Sequence, residues 1–257
     1  MKLRALFAFS ATLIAGPAVA ATLLNYDFNT GAGAIALNSG SLGASADGSI
    51  GGSIVYSVDT PFGGGYALSL DGSSSFIQVP DAWDYAGQLT VEAWIKPATT
   101  SGQQILWDDY GNPGVVFAVN GSAVQYSLST TAVPGLGETL LAGTVSSGVW
   151  QHVAGVYNGS TMAIYRNGVL VGTQSLTGAV LDNGGFSGAV GRDNLSAALF
   201  FGGLIDDFRI HDTALAPEQL GYYADVPEAG TAAAVVILGG GLTLLAARRI
   251  RSRLPRR

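Results

Sequence analysis

The chain has 257 residues, 48% of them hydrophobic and 12% charged, with 37 glycines and no cysteine, which excludes disulfides, thiol catalysis and thiolate metal sites. Six of its twelve basic residues lie in the last ten positions. Residues 21–225 therefore keep four basic residues (Lys96, Arg166, Arg192 and Arg209) against seventeen acidic ones, a net charge of −13, which argues against nucleic acid as a partner.

At the N-terminus, Lys2 and Arg4 precede a mainly apolar stretch, Ala5 to Ala15, too short to cross a bilayer. Gly16-Pro17 breaks it, and Ala18-Val19-Ala20 has the small-x-small form of a signal-peptide cleavage site. Residues 1–20 are read as a signal peptide cut after Ala20, with the folded body over residues 21–225. The Gly/Ala/Ser-rich region from Thr30 to Gly52 reads as a long loop with strand fragments.

Turn residues punctuate the strands that follow. Tyr66 to Leu70 and Ser75 to Val79 flank Asp71-Gly72, a hairpin signal. Trp83-Asp84-Tyr85 groups aromatics with a carboxylate. Leu89 to Lys96 alternates, placing Val91, Ala93 and Ile95 on one side. Trp107-Asp108-Asp109-Tyr110-Gly111-Asn112 mixes aromatics, carboxylates and an amide in a loop after a strand. Gly114 to Val119 and Ala123 to Leu128 flank Asn120-Gly121, and Met162 to Arg166 and Val169 to Thr173 flank Asn167-Gly168. Trp150 to Tyr157 precedes them, making a three-strand meander to about Gln174. The one helical segment is Ala216 to Tyr222, with Pro217 in its first turn. Many strands without long amphipathic helices predict an all-β, antiparallel two-sheet β-sandwich.

After Val226-Pro227-Glu228 comes an uncharged run from Ala229 to Ala247, then Arg248, Arg249, Arg251, Arg253, Arg256 and Arg257. As a helix, Thr231 to Ala247 reaches about 25 Å, near the lower limit for a transmembrane span. The arginines hold their end in the cytoplasm, so the body is expected outside, tethered at its C-terminus. The three-part layout over residues 226–257 resembles the bacterial PEP-CTERM sorting signal, with Ala229 where a second proline is usual. That resemblance implies processing by an exosortase-type enzyme and a cell-envelope or extracellular destination.

Five segments, in order, resemble the laminin-G-like domains of the concanavalin A-like lectin/glucanase superfamily: Ala67 to Pro80, Leu89 to Pro97, Trp150 to Ser160, Tyr165 to Gly168, and Gly203 to Ile210 with Leu215 to Glu218. The resemblance implies a jelly-roll sandwich. It also implies a structural calcium tying the first strand to the last, for which the matching residues are Asp27, Asp71 and Asp206, with backbone carbonyls.

The superfamily's β-glucanases present paired acids as Glu-x-Asp-x-Glu on one strand, because retaining hydrolysis needs two carboxylates about 5 Å apart. This chain has no such run, no Gly-x-Ser-x-Gly elbow and no histidine cluster for zinc. His152 reads as a strand residue that packs or hydrogen-bonds, and His211 as an exposed residue after the last strand. The expectation is a non-catalytic, exported adhesion or carbohydrate-binding domain, with Trp107, Asp108, Asp109, Tyr110 and Asn112 as the sugar-binding cluster and Trp83-Asp84-Tyr85 as a second. The alternatives are a structural matrix or biofilm component without a specific ligand and, ranked below it, a glycoside hydrolase.

Overall fold

The computed structural model describes residues 21–85, 87–109, 114–135, 137–181 and 187–224. The expected leader (residues 1–20) and sorting segment (residues 226–257, with Val226, Pro227 and Glu228) lie outside them, as do Tyr110 and Asn112. Among the described residues, no helix is long and apolar enough to cross a membrane.

Among the described residues, sixteen strands run in chain order: β1 (Thr22–Tyr26), β2 (Ile35–Ala36), β3 (Gly48–Gly51), β4 (Val55–Ser57), β5 (Ala67–Asp71), β6 (Phe76–Val79), β7 (Leu89–Pro97), β8 (Gln103–Asp108), β9 (Val115–Asn120), β10 (Ala123–Leu128), β11 (Glu138–Ala142), β12 (Gln151–Tyr157), β13 (Thr161–Arg166), β14 (Val169–Ser175), β15 (Gly188–Val190) and β16 (Gly202–His211). A 3-10 turn (Pro217–Gln219) and a one-turn helix, α1 (Gly221–Ala224), follow.

Two antiparallel sheets result. One has the order β14-β13-β12-β7-β16-β5-β4, with β1 also paired to β16; the other has the order β11-β10-β9-β8-β15-β6-β3-β2. Between them lies one core in which Tyr26, Phe117, Tyr126, Trp107, Phe201 and Phe208 are each at most 1% exposed. Such aromatics bury the largest apolar areas available to a side chain, and their number compensates for the many glycines. Val91, Ala93 and Ile95 enter this core together, as the alternation in β7 predicts.

The Asp71-Gly72 turn is not a hairpin. β5 pairs with β4 and β16 in one sheet, whereas β6 pairs with β3 and β15 in the other. The turn is an arch that carries the chain across the sandwich. Gly72 adopts φ +75°, and an added Cβ there would lie 3.2 Å from the Gly202 Cα. Asp-Gly supplies the tight reversal; distant partner strands decide whether the two arms pair.

The meander β12-β13-β14 forms as expected, with Asn167 at φ +49° in its second turn. The helical segment is shorter than predicted, because extended backbone at Leu220 interrupts it. The stretch from Asp212 to Tyr222 lies across the outer face of the first sheet, where Leu215 and Leu220 pack on Ala154, Val156 and Ala163.

Candidate functional site

Of the expected sugar-binding cluster, the three described residues, Trp107, Asp108 and Asp109, are not at the surface. A register shift between Ile105 and Trp107 turns the Trp107 ring into the core, where it is 1% exposed. It stacks on Trp83 at 6.1 Å and tilts against Phe208 at 5.8 Å, while its indole N–H donates to the Tyr85 hydroxyl at 3.2 Å. The two aromatic clusters read from sequence thus meet, but as one packed unit with no open ring face at Trp107. Asp108 and Asp109 are buried as well. Asp108 Oδ2 accepts the Asn194 N–H at 2.8 Å and Asp109 Oδ1 the Val115 N–H at 2.6 Å, so both fix backbone.

The three carboxylates of the expected calcium set do not come together. Asp71 turns into its own arch, where Oδ1 accepts the N–H groups of Ser73, Ser74 and Ser75 and Oδ2 accepts the Ser74 hydroxyl at 2.6 Å. The Ser74 hydroxyl and these N–H donors hold its pKa well below the usual carboxylate range. Asp206 lies at a bulge in β16 where Asp207 takes φ +46°. Burial, then the charges of Asp207 and Asp27, push the Asp206 pKa up to about 8. Asp27 is therefore Asp206's electrostatic neighbour, and Asp71 is not. Among the described residues, no group of three His, Cys, Asp or Glu side chains is arranged to hold a metal.

His211, expected to be exposed, is 5% exposed and belongs to a buried polar network beneath the C-terminal stretch. Glu92, on the outward side of β7, is 1% exposed. Its Oε2 lies 3.2 Å from His152 Nε2 and its Oε1 lies 3.1 Å from His211 Nε2. The Gly221 N–H donates to Oε2 at 2.9 Å. On its other side, His211 Nδ1 lies 3.2 Å from the Thr22 hydroxyl. Burial alone would raise the Glu92 pKa, but hydrogen bonds and electrostatic attraction from the two histidines outweigh it and leave Glu92 well below the usual range. The cluster joins β7, β12, β16 and the C-terminal stretch.

The outer face of the second sheet carries a feature the sequence reading missed. Val124, Tyr126 and Leu128 point into the core, so Gln125 and Ser127 point out. Gln103 Nε2 and Asn120 Nδ2 donate to Gln125 Oε1 at 3.1 and 3.0 Å. Gln125 Nε2 donates to Ser127 Oγ at 2.9 Å, and Ser127 Oγ lies 2.8 Å from Thr139 Oγ1. Four strands, β8 to β11, thus share one chain of neutral amides and hydroxyls. Further along the same face, Gln78 Nε2 donates to Asn194 Oδ1 at 3.1 Å, and Arg192 donates to Gln78 Oε1 at 2.8 Å with its guanidinium 3.6 Å from the Phe76 ring centre. Side chain-to-side chain bonds are a minority of protein hydrogen bonds, so a continuous run of them marks a surface held in one arrangement. Its sequence signal is polar residues at alternate positions of strands, which becomes visible only once the strands are paired.

The two-sheet architecture and the order of its strands define a concanavalin A-like sandwich. Residues 71–221 match the model of the Laminin_G_3 family of the concanavalin A-like lectin/glucanases superfamily, and the chain belongs to that family. Among solved structures, it is similar to domain 4 of AbnA, an extracellular GH43 arabinanase from Geobacillus stearothermophilus, in complex with arabinotriose. Identity is 22% and the TM-score 0.61, over 80% of this chain and 98% of that one. It is also similar to the binding domain of Paraclostridial Mosquitocidal Protein 1 (12% identity, TM-score 0.62, 79% of this chain and 51% of that one). The receptor binding domain of botulinum neurotoxin D aligns at 17% identity and TM-score 0.60, over 80% of this chain and 53% of that one. The chain spans about half the length of these two toxin domains. At these identities the likeness is one of fold. No curated protein sequence matches the chain.

Proposed function

We infer that this chain is an exported, non-catalytic binding module for extracellular glycans, with the outer face of the second sheet as its recognition surface. The observation that carries the reading is the ladder Gln103–Asn120–Gln125–Ser127–Thr139. Gln125 and Ser127, each 8% exposed, lock the half-buried Gln103 and Asn120 and the exposed Thr139, which present donors and acceptors to a polyhydroxylated ligand at low ordering cost. The arabinotriose complex of the similar arabinanase domain supports a sugar-type ligand. The non-catalytic part rests on the burial of Glu92, Asp108 and Asp109, which keeps these carboxylates from a reacting sugar.

A glycan array tests the reading. Wild-type protein is expected to bind, and Thr139→Arg, placing a long cation at the exposed end of the ladder, to lose binding with an unchanged melting temperature. A blank array for the wild type contradicts it and favours a passive matrix component. Export and exosortase-type processing form the second part of the proposal, supported by the leader pattern of residues 1–20 and the three-part tail. Mass spectrometry of protein from its native host is expected to find a mature N-terminus at Ala21 and a C-terminus near Val226 to Glu228. Intact termini in the cytosol contradict it.

A further inference from the structure

The outer face of the first sheet holds a groove of about 520 Å³ between strands β12–β14 and the C-terminal stretch, within the size range of ligand pockets. Its floor is apolar: Val156, Ala163 and Leu170, with the half-buried Tyr165 ring. Ala214, Leu215 and Ala216 form the opposite wall. Among the described residues, no charged side chain lines it, although residues 21–225 carry a net charge of −13. Burial and then the charge of Glu218 raise the Tyr165 pKa, so a carboxylate lies near the groove.

Three carboxamides line the groove, and all three have their carbonyl oxygen already engaged. Gln88 Oε1 accepts the Ala214 N–H at 3.2 Å, and Gln219 Oε1 accepts the Ala216 N–H at 2.9 Å. Asn158 Oδ1 accepts the Ser160 and Thr161 N–H groups at 3.0 and 2.9 Å. A backbone N–H can only donate, so each amide is held with its NH₂ as the unengaged end. None of these NH₂ groups has a protein partner among the described residues. Thr161 and Thr173 add hydroxyls.

The far wall is also fixed. The Leu215 N–H donates to Thr90 Oγ1 at 3.0 Å, and Thr90 Oγ1 donates to the Thr213 carbonyl at 2.7 Å. Glu92 holds the Gly221 N–H. The groove is thus formed before any ligand arrives.

We propose that this groove is a second binding site, for a single neutral oligosaccharide chain. A ligand rich in hydroxyl and ether oxygens supplies acceptors to three preset NH₂ groups that otherwise face solvent. Its C–H faces match Tyr165 and the apolar floor. Charge decides against acidic glycans, because among the described residues no cation lines the groove, and the Glu218 charge acts on its Tyr165. The proposal rests on the glycan-binding reading above for its class of ligand, but on different residues for its location. A module with sites on both outer faces cross-links polymer chains.

Isothermal titration calorimetry of the purified protein separates the two sites. The probes are neutral hexaoses (cellohexaose, xylohexaose and arabinohexaose) and the acidic hexagalacturonate. The substitutions are Thr173→Arg or Leu170→Arg in the groove, both on exposed positions of an edge strand, and Thr139→Arg on the other sheet. A neutral hexaose is expected to bind wild type at two sites. Either groove substitution should remove one site, or weaken it at least tenfold, with the melting temperature unchanged. Binding that survives both groove substitutions but is lost in Thr139→Arg overturns the groove and leaves the first site standing. Binding lost in the groove substitutions but not in Thr139→Arg supports the groove and overturns the first site. Preference for hexagalacturonate overturns the ligand class, and no binding of any neutral hexaose by wild type overturns both sites.

Discussion

Asp206 carries a proton that most aspartates release. Its folded pKa of about 8 lies above the unfolded value near 3.9, so the native state binds that proton more tightly than the unfolded chain. The stability this group contributes is complete below the unfolded pKa and is lost as pH rises from about 4 through 8. Asp206→Asn keeps an acceptor for the Asp207 N–H but cannot ionise. It should melt close to wild type at pH 4 and at least about 3 °C above it at pH 8, roughly 1 kcal/mol for a domain of this size. An equal difference at both pH values contradicts the assignment. Trp107 lies at the opposite extreme, with its ring enclosed by Trp83 and Phe208. Trp107→Ala should cost about 3–5 kcal/mol of stability by chemical denaturation, rather than remove a ligand contact from a folded protein. The composition of the Trp107 segment was legible in the sequence. Its burial was not, because one register shift in β8 decides which way the ring points and leaves no local trace. His211 was misjudged for a related reason: its partner Glu92 is 119 positions away.

Among the elements, the arch between β5 and β6 and the C-terminal stretch hold parts of the sandwich together. Asp71 gathers three backbone N–H groups at the arch. Asp71→Ala should lower stability by about 1 kcal/mol or more, as loss of a side-chain cap does elsewhere, measured by urea unfolding. An unchanged midpoint would show that the arch does not need the cap. Glu92 performs the same office for the C-terminal stretch. Glu92→Ala leaves two buried imidazoles and the Gly221 N–H without their shared acceptor, a loss of about 3–5 kcal/mol. Hydrogen exchange in Leu215 to Gly221 should then quicken more than exchange in β9 and β10, and uniform quickening contradicts a local role. Strand positions were largely readable, since Asn120-Gly121 and Asn167-Gly168 mark true hairpins. Asp71-Gly72 has the same signature and joins different sheets, because turn chemistry fixes a reversal and not the partner.

For the molecule as a whole, sequence order and family segments were enough to predict a two-sheet antiparallel sandwich. The surfaces proposed to bind were not predictable, because each is assembled from strands distant in the chain: Gln103 to Thr139 on one face, Gln88 to Gln219 on the other. Polar residues at alternate strand positions are ordinary in any half-exposed sheet, and only pairing reveals that these are bonded to one another or held with one end unengaged. An acidic body whose two proposed surfaces, the Gln103–Thr139 ladder and the groove, are lined by uncharged side chains suits contact with uncharged polymer. Backbone chemical-shift mapping on the isotopically labelled protein, titrated with the neutral hexaose that binds best, tests this account most directly. Shifts are expected at Gln103, Gln125 and Thr139 and at Tyr165 and Gln219, with Trp107 and its buried neighbours unmoved. Shifts confined to the Trp83–Trp107 region, with both outer faces silent, would contradict it.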